Sequence, residues 1–540
     1  MTGYSRRTFV RNTAATVGVA LAPPVLGEGV AVAVGAAGEE GVAETGALRV
    51  GPSDARYQGL ASGVNLRWVG TPDHVRVVGS TDQVVQAVQE AVDRGQRIAV
   101  RSGGHCYEDF VTHADVRVVI DMSGMTGVFY DRERQAFAVE PGALLGTVYR
   151  SLYKGWGVTI PGGTCPTVGA GGHIAGGGYG PLSRLHGLTV DHLYAVEVVV
   201  VDADGNARKV VATREASDPN RDLWWAHTGA GGGNFGVITR YWLRSPNATG
   251  TDPSAMLPQP PAELLVSDIS WSWSGMTEQS FTRLLKNFSR WHEKNSGADS
   301  VYAGLFSHLK PQHRSAGAFS MSTQIDASLP GAEGLLDDFL TAVNAGTGLT
   351  YQVNDRKKVP WLYAVTQWSG WVGGATARWK AKSAYLRRAF PDAQLKAFYR
   401  HMTRTDYDNP GGIVVLAGFG GRVNSVGASE TAVPQRDSII KMLYVSLWAN
   451  PDEDAKHLQW IREFYRDVYG ATGGVPRPDG VNDGCFINYV DADMADPSIN
   501  DSGVPWHQLY FKDGYRRLQR VKGKWDPRGI FTHSMAIRNP

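Results

Sequence analysis

Two glycine-rich stretches about sixty residues apart each carry one side chain able to bond covalently to a ligand. In Arg101-Ser102-Gly103-Gly104-His105 that group is an imidazole; in the run from 161 to 180 it is the thiol of Cys165. Nine of the twenty residues in that run are glycine, which loses the most backbone freedom on folding and adds no side chain to a core. Such a run is expected where a bulky ligand lies against the backbone and its N–H groups, as phosphate-bearing cofactors do. A third stretch, Gly229 to Gly236, has the glycine spacing of a dinucleotide fingerprint. It is a weak one: residues 222–227 before it read as a short helix rather than a strand, and no ribose-binding acid follows at the required distance.

Elements of alternating type must position these loops. Ser80 or Thr81 caps a helix whose Val84, Val85, Val88, Ala91 and Val92 share one face, with Gly95 ending it. Strands are predicted over 97–101, 116–121 and 136–140, and a helix over 143–153 stopped by Gly155. A β-branched run over 194–201 turns at Asp202-Ala203-Asp204-Gly205 into a strand over 208–212, and residues 235–243 close the set. From 247 to 480 the character changes: a Pro-rich connection marks a boundary, and aromatics including Trp271, Trp273, Trp361, Trp368 and Trp371 follow, read as core rather than as contacts. Helical periodicity returns over 281–295, 334–344, 454–469 and 506–524.

The loop motifs R-S-G-G-H-C-Y-E and G-G-T-C-P-T-V-G-A-G-G-H-I-A-G-G-G-Y-G resemble the FAD-linked oxidases of the berberine-bridge-enzyme type, and within them a bacterial antibiotic-tailoring branch. The similarity runs from about Leu48 to the C-terminus. It implies a two-domain α+β flavoprotein of the VAO/PCMH type. An FAD-binding part at 48–246 is completed by 481–540, and a substrate part at 247–480 has an antiparallel sheet covered by helices. It also implies FAD attached twice, through His105 at the 8α-methyl and Cys165 at C6. Further cofactor contacts carried over are Arg101, Ser102, Gly103, Gly104, Cys106, Gly162, Thr164, Val168, Gly169, Gly171, Gly172, His173, Gly176, Gly177 and Gly178. From the third stretch and the tail come Gly232, Gly233, Asn234, Phe235, Gly236, Val237, Asn488 and Tyr489.

The implied chemistry is oxidation of a secondary alcohol on a bulky secondary metabolite to a ketone, with hydride passing to flavin N5 and oxygen as acceptor. The base implied is Tyr489, in Asn488-Tyr489-Val490-Asp491, with Tyr179 as the hydroxyl that supports its phenolate. A phenol titrates near 10, so working near neutrality takes roughly 4 kcal/mol of help from a hydrogen bond or a positive field. Val168 matches a position where valine accompanies oxidases. Phe419 is a substrate-facing candidate that departs from a branch member whose tyrosine there is the base for a second oxidation of one sugar. Phenylalanine accepts no proton, so that second step is not expected and the substrate need not be a sugar. Oxidative ring closure, oxidation of a glycoside, and a non-enzymatic flavin-binding role remain alternatives.

Composition narrows the classes. The chain has 540 residues, 42% hydrophobic content and a formal charge of +2, enough for two globular domains and too little basic excess for nucleic acid. Three cysteines build no disulfide framework, and the histidines lack metal-ligand spacing. Ser5-Arg6-Arg7-Thr8-Phe9 resembles a twin-arginine export signal, followed to about Gly38 by a segment too broken to span a membrane, with Ala31-Val32-Ala33 as a candidate cleavage site. Secretion by that route is the expectation; oligomeric state is not legible.

Overall fold

A helix between two sheets organises the first half of the chain. In this computed structural model, which describes residues 46–368 and 377–540, the helix Thr81–Asp93 begins where the Ser80 hydroxyl accepts from the Gln83 N–H. The export-like segment and Trp371 lie outside the described residues. On one side the helix meets a four-stranded sheet, β1 (Leu48–Val50), β2 (His74–Val77), β3 (Ile98–Arg101) and β4 (Val118–Asp121), in the order β1-β2-β4-β3. The pairs β2/β4 and β3/β4 are parallel, which requires a crossover such as this helix. Its Val84 and Val88 are buried with Ile98 and Ile120, and on the other side with Val199 and Val237 of a second sheet.

That second sheet is antiparallel: β5 (Val128–Asp131), β6 (Ala136–Val139), β7 (Leu193–Val201), β8 (Ala207–Thr213) and β9 (Val237–Leu243), in the order β5-β6-β9-β7-β8. The expected strands fall within a few residues of these bounds. Two helix ends differ from expectation. The helix Leu145–Trp156 runs through Gly155 and stops at Gly157, whose left-handed backbone (φ 70°) returns its N–H to Leu152 and Tyr153. Trp156 packs edge-on against Phe137 at 5.1 Å, which carries the last turn past Gly155. The C-terminal helix is two: Trp506–Phe511 and Tyr515–Trp525, broken at Lys512, whose φ is 47° and whose ammonium pairs with buried Asp483.

The third sheet has seven antiparallel strands: β10 (Glu263–Ser272), β11 (Phe306–Lys310), β12 (Ala318–Asp326), β13 (Gln352–Pro360), β14 (Arg378–Leu386), β15 (Gly412–Gly418) and β16 (Ile440–Trp448), in the order β13-β10-β12-β11-β15-β16-β14. Side chains alternate between its faces. One face is covered by helices: Trp271 donates to Asn344 of the helix Ala332–Asn344 at 2.9 Å, and Tyr444 packs against Phe464 of Asp454–Val468. The expected α+β class and helix-covered antiparallel sheet are what the chain forms. Trp271 and Trp361 are fully buried, as core residues. Among the described residues no helix is long and apolar enough to cross a membrane.

Candidate active site

The two reactive side chains meet over one hydroxyl. Oγ1 of Thr167 lies 3.1 Å from Nε2 of His105 and 3.4 Å from Sγ of Cys165. Sixty residues of sequence separation close because the two loops cross at glycine: a Cβ on Gly103 would stand 2.3 Å from the Gly169 nitrogen, and one on Gly169 2.4 Å from that of Gly103. Neither position admits another residue. Burial lowers the pKa of His105, which leaves the imidazole neutral and nucleophilic. None of the three cysteines forms a disulfide, and burial raises the Cys106 thiol to about 12, so it is a packed thiol beside the reactive pair.

Much of the glycine run is closely packed against protein on the side a Cβ would take. A Cβ on Gly176 would strike Oδ1 of Asn488 at 1.9 Å, while Asn488 itself donates to the His173 carbonyl at 3.0 Å. Gly171 abuts Pro141, Gly177 Val433, Gly178 Thr189 and Gly162 the Tyr149 hydroxyl. Gly172 and Gly232 differ: both are exposed with no atom within 4 Å of an added Cβ. The Gly231 N–H bonds the Ala175 carbonyl at 3.0 Å, which ties the third glycine stretch to the end of the short helix Ala170–Ala175. Other carried-over contacts are engaged internally. Arg101 pairs with Asp121 at 2.5 Å, Ser102 donates to Pro141, and His173 accepts from Gly163. Asn234 binds Ile537, while Phe235 and Val237 are core. Thr164 and Val168 are half-buried beside Cys165.

Tyr489 sits on the short 3-10 turn Ile487–Tyr489, half-buried, stacked on Tyr107 (5.5 Å, 14°) and edge-on to Phe486 (5.1 Å). Its hydroxyl accepts a 2.9 Å hydrogen bond from Nζ of Lys441. That ammonium also lies 4.3 Å from the ring centre of Tyr179 and 4.1 Å from that of Tyr489. Lys441 was not among the expected residues; its signal is one lysine in the apolar strand I-K-M-L-Y-V-S-L-W. The expected Tyr179-to-Tyr489 bond is not made. Tyr179 donates to the Gly418 carbonyl instead, and its ring packs against Phe419 at 5.3 Å. Phe419 is fully buried between Tyr179 and Tyr385, a packing position rather than a substrate-facing one. Arg184 fixes its carbonyl at 2.8 Å.

Burial pushes the Lys441 ammonium well below its usual range and the Tyr489 phenol above its own. Each charge alone is therefore disfavoured, and phenolate is accessible only with its ammonium partner. A buried ion network holds the pair in place. Two residues past Tyr489, Asp491 accepts from Lys380 and Lys382 at 2.7 Å each. Lys380 also pairs with Glu108 at 2.5 Å, three residues past His105. The Tyr489 turn and the His105 loop are thus locked to the same strand, β14.

The described residues fit FAD. Two nucleophilic groups stand one hydroxyl apart, and Gly172 and Gly232 leave backbone exposed. The family models agree: residues 72–210 match the FAD binding domain and 485–538 the berberine and berberine-like domain. Aclacinomycin-N/aclacinomycin-A oxidase of Streptomyces galilaeus is 52% identical, with 99% of each chain covered. The chain belongs to the berberine-bridge-enzyme-like FAD-linked oxidoreductases. Hexose oxidase of Chondrus crispus is 33% identical over 90% of this chain and 93% of that one. In structure, the chain is similar to CrmK, a flavoenzyme of shunt product recycling in caerulomycin biosynthesis (TM-score 0.90, 53% identity, 92% and 100% covered). It is also similar to the glycopeptide hexose oxidase DBV29 complexed with teicoplanin (TM-score 0.87, 51% identity, 92% and 99% covered).

Proposed function

We propose that this oxidoreductase carries FAD bonded to both His105 and Cys165 and oxidises a secondary alcohol of a bulky secondary metabolite to a ketone, with oxygen reduced to hydrogen peroxide. We further propose export by the twin-arginine route, on the motif Ser5-Arg6-Arg7-Thr8-Phe9. The observation that carries the alcohol chemistry is the Lys441–Tyr489 hydrogen bond, made by a tyrosine stacked on Tyr107, two residues past His105. Bound flavin supplies the two-electron acceptor for the carbinol hydrogen. Tyr489, as phenolate, takes the hydroxyl proton. Lys441 holds the phenolate by a hydrogen bond and by charge, Tyr107 fixes the plane of its ring by stacking, and Tyr179 closes the far side with its own hydroxyl tied to Gly418. The activities named for the relatives, aclacinomycin and hexose oxidation, support an alcohol substrate over ring closure.

The test is anaerobic mixing of the purified flavoprotein with candidate alcohols, followed by admission of oxygen. Bleaching of the flavin, and then peroxide, is expected. Tyr489→Phe keeps the ring and its stack but deletes the proton acceptor, so reduction should slow by about a hundred- to ten-thousand-fold with binding retained. Reduction of that variant at the wild-type rate would place the base elsewhere.

A further inference from the structure

A cluster of six charged side chains joins β14, the segment just past the Tyr489 turn, the loop that follows His105 and the helix Asp454–Val468. Lys380 and Lys382 stand two apart on β14 and so share a face. Lys380 meets Glu108 at 2.5 Å, Asp491 at 2.7 Å and Asp493 at 3.3 Å. Lys382 meets Asp491 at 2.7 Å and Asp493 at 2.9 Å, and Arg462 closes on Asp493 with two contacts of 2.9 Å. All but Arg462 are buried. Three cations face three carboxylates, so the cluster as a unit carries no net charge. Apolar side chains of similar volume would serve stability as well as such buried pairs do. What the ion pairs add is direction, since each carboxylate is held at a set length from one strand.

Glu108 is the member that joins distant parts of the chain. The other five lie between 380 and 493, whereas Glu108 comes from the loop three residues past His105. Its Oε1 accepts from the Lys380 ammonium and, at 3.3 Å, from the N–H of Ala492. The loop is stitched to the same strand one residue earlier. Tyr107 packs edge-on to Trp379 at 4.3 Å, and its carbonyl accepts from Asn65, which also binds both backbone groups of Trp379 at 3.0 and 3.2 Å. The Tyr489 turn is held in the same way: Ser383 of β14 donates to the Tyr489 carbonyl at 3.3 Å and accepts from the Phe486 N–H at 3.1 Å. Three residues of chain reach at most about 10 Å, so His105 stays close to the strand that holds Tyr489. Tyr107, between His105 and Glu108, is the ring on which Tyr489 stacks.

We propose that Glu108 is a positioning residue for the proton transfer, fixing the Tyr489 hydroxyl relative to the flavin carried on His105. This rests on the alcohol-oxidising reading above, in which Tyr489 is the base. Glu108 acts through Tyr107 and the Tyr489 turn, not on the reacting atoms. A displacement of about 1 Å at a reacting group can cost about a hundredfold in rate. Loosening a cluster of zero net charge moves the base without changing the field on it. The expected signature is a lower rate at every pH with the pKa of the base unmoved. Loss of the Lys441 ammonium, by contrast, moves the pKa.

The test uses the holoenzyme, with phenyl β-D-glucopyranoside as the probe secondary alcohol, and reads anaerobic reduction per bound flavin across pH and probe concentration. Glu108→Gln combined with Lys380→Met removes the bridge and leaves two cations against two carboxylates. The plateau rate should fall by about ten- to a hundredfold, with the pH limb in place and the half-saturating concentration within about twofold of wild type. Added to Tyr489→Phe, the same pair should slow reduction by no more than about twofold, because residues that act through one group are not additive. Glu108→Asp keeps every charge and withdraws the carboxylate by one methylene. It should show the same signature at smaller size, and it carries the test if the paired variant does not fold. A wild-type plateau in either variant, a shifted limb, or a full further loss in the Tyr489→Phe background overturns the inference while the base stands. If the probe leaves wild-type flavin oxidised, or Tyr489→Phe reduces at the wild-type rate, the alcohol-oxidising reading fails and this inference falls with it.

Discussion

Replacing Lys441 by methionine isolates the contribution of the ammonium to the base. The lysine is buried, among the described residues its ammonium donates to the Tyr489 hydroxyl at 2.9 Å, and methionine fills a similar volume without a donor. A hydrogen bond to a charged group contributes about 1.5–3 kcal/mol, which corresponds to roughly one to two pKa units on the phenol. The sign follows from the charge. Lys441 favours phenolate, so its loss raises the Tyr489 pKa and moves the rising limb of the pH–rate profile upward by that amount. Below the limb the rate of flavin reduction should fall by roughly ten- to a hundredfold, whereas at high pH it should approach the wild-type plateau. Anaerobic stopped-flow reduction at saturating alcohol, measured across pH, reads both. Thermal stability should hold or rise, because a buried amine with depressed basicity is replaced by an apolar side chain. A variant whose limb stays in place would refute the pairing of Lys441 with the catalytic phenol.

Other outcomes follow from the same geometry. Acid-denatured protein should stay yellow with one fragment pair bearing both His105 and Cys165, each single alanine variant should keep one link, and release of free FAD from the wild type would end the double-attachment proposal. Val168→Leu, at a half-buried site three residues past Cys165, should slow reoxidation by oxygen while leaving anaerobic reduction unchanged; equal reoxidation rates would remove its role. Burial holds the folded-state pKa of His173, His186 and His227 at about 4. The unfolded chain therefore binds more protons between about pH 6.5 and 4, and melting temperature should fall as pH drops through that window. His227→Gln should flatten the fall.

Chemistry carried by local motifs was legible without coordinates. The two loops with His105 and Cys165, the helix over residues 81–93 capped by Ser80, and the β-branched run of β7 depend on short-range patterns, which the chain satisfies locally. The class of fold, the FAD-linked family and the tryptophans as core followed from those patterns and from resemblance. What needed the tertiary structure were relations across long sequence distance. That His105 and Cys165 share Thr167 depends on two glycines admitting a backbone crossing. That several glycines of the run are closely packed against protein is decided by partners such as Asn488 and Val433, which lie hundreds of residues away. Lys441 reads in sequence as a lone charge in an apolar strand. It becomes the partner of Tyr489 only when the fold brings the turn Ile487–Tyr489 against β16. Periodicity specifies which residues share a face of one strand; the pairing of strands, fixed by the packed core as a whole, decides which residues meet.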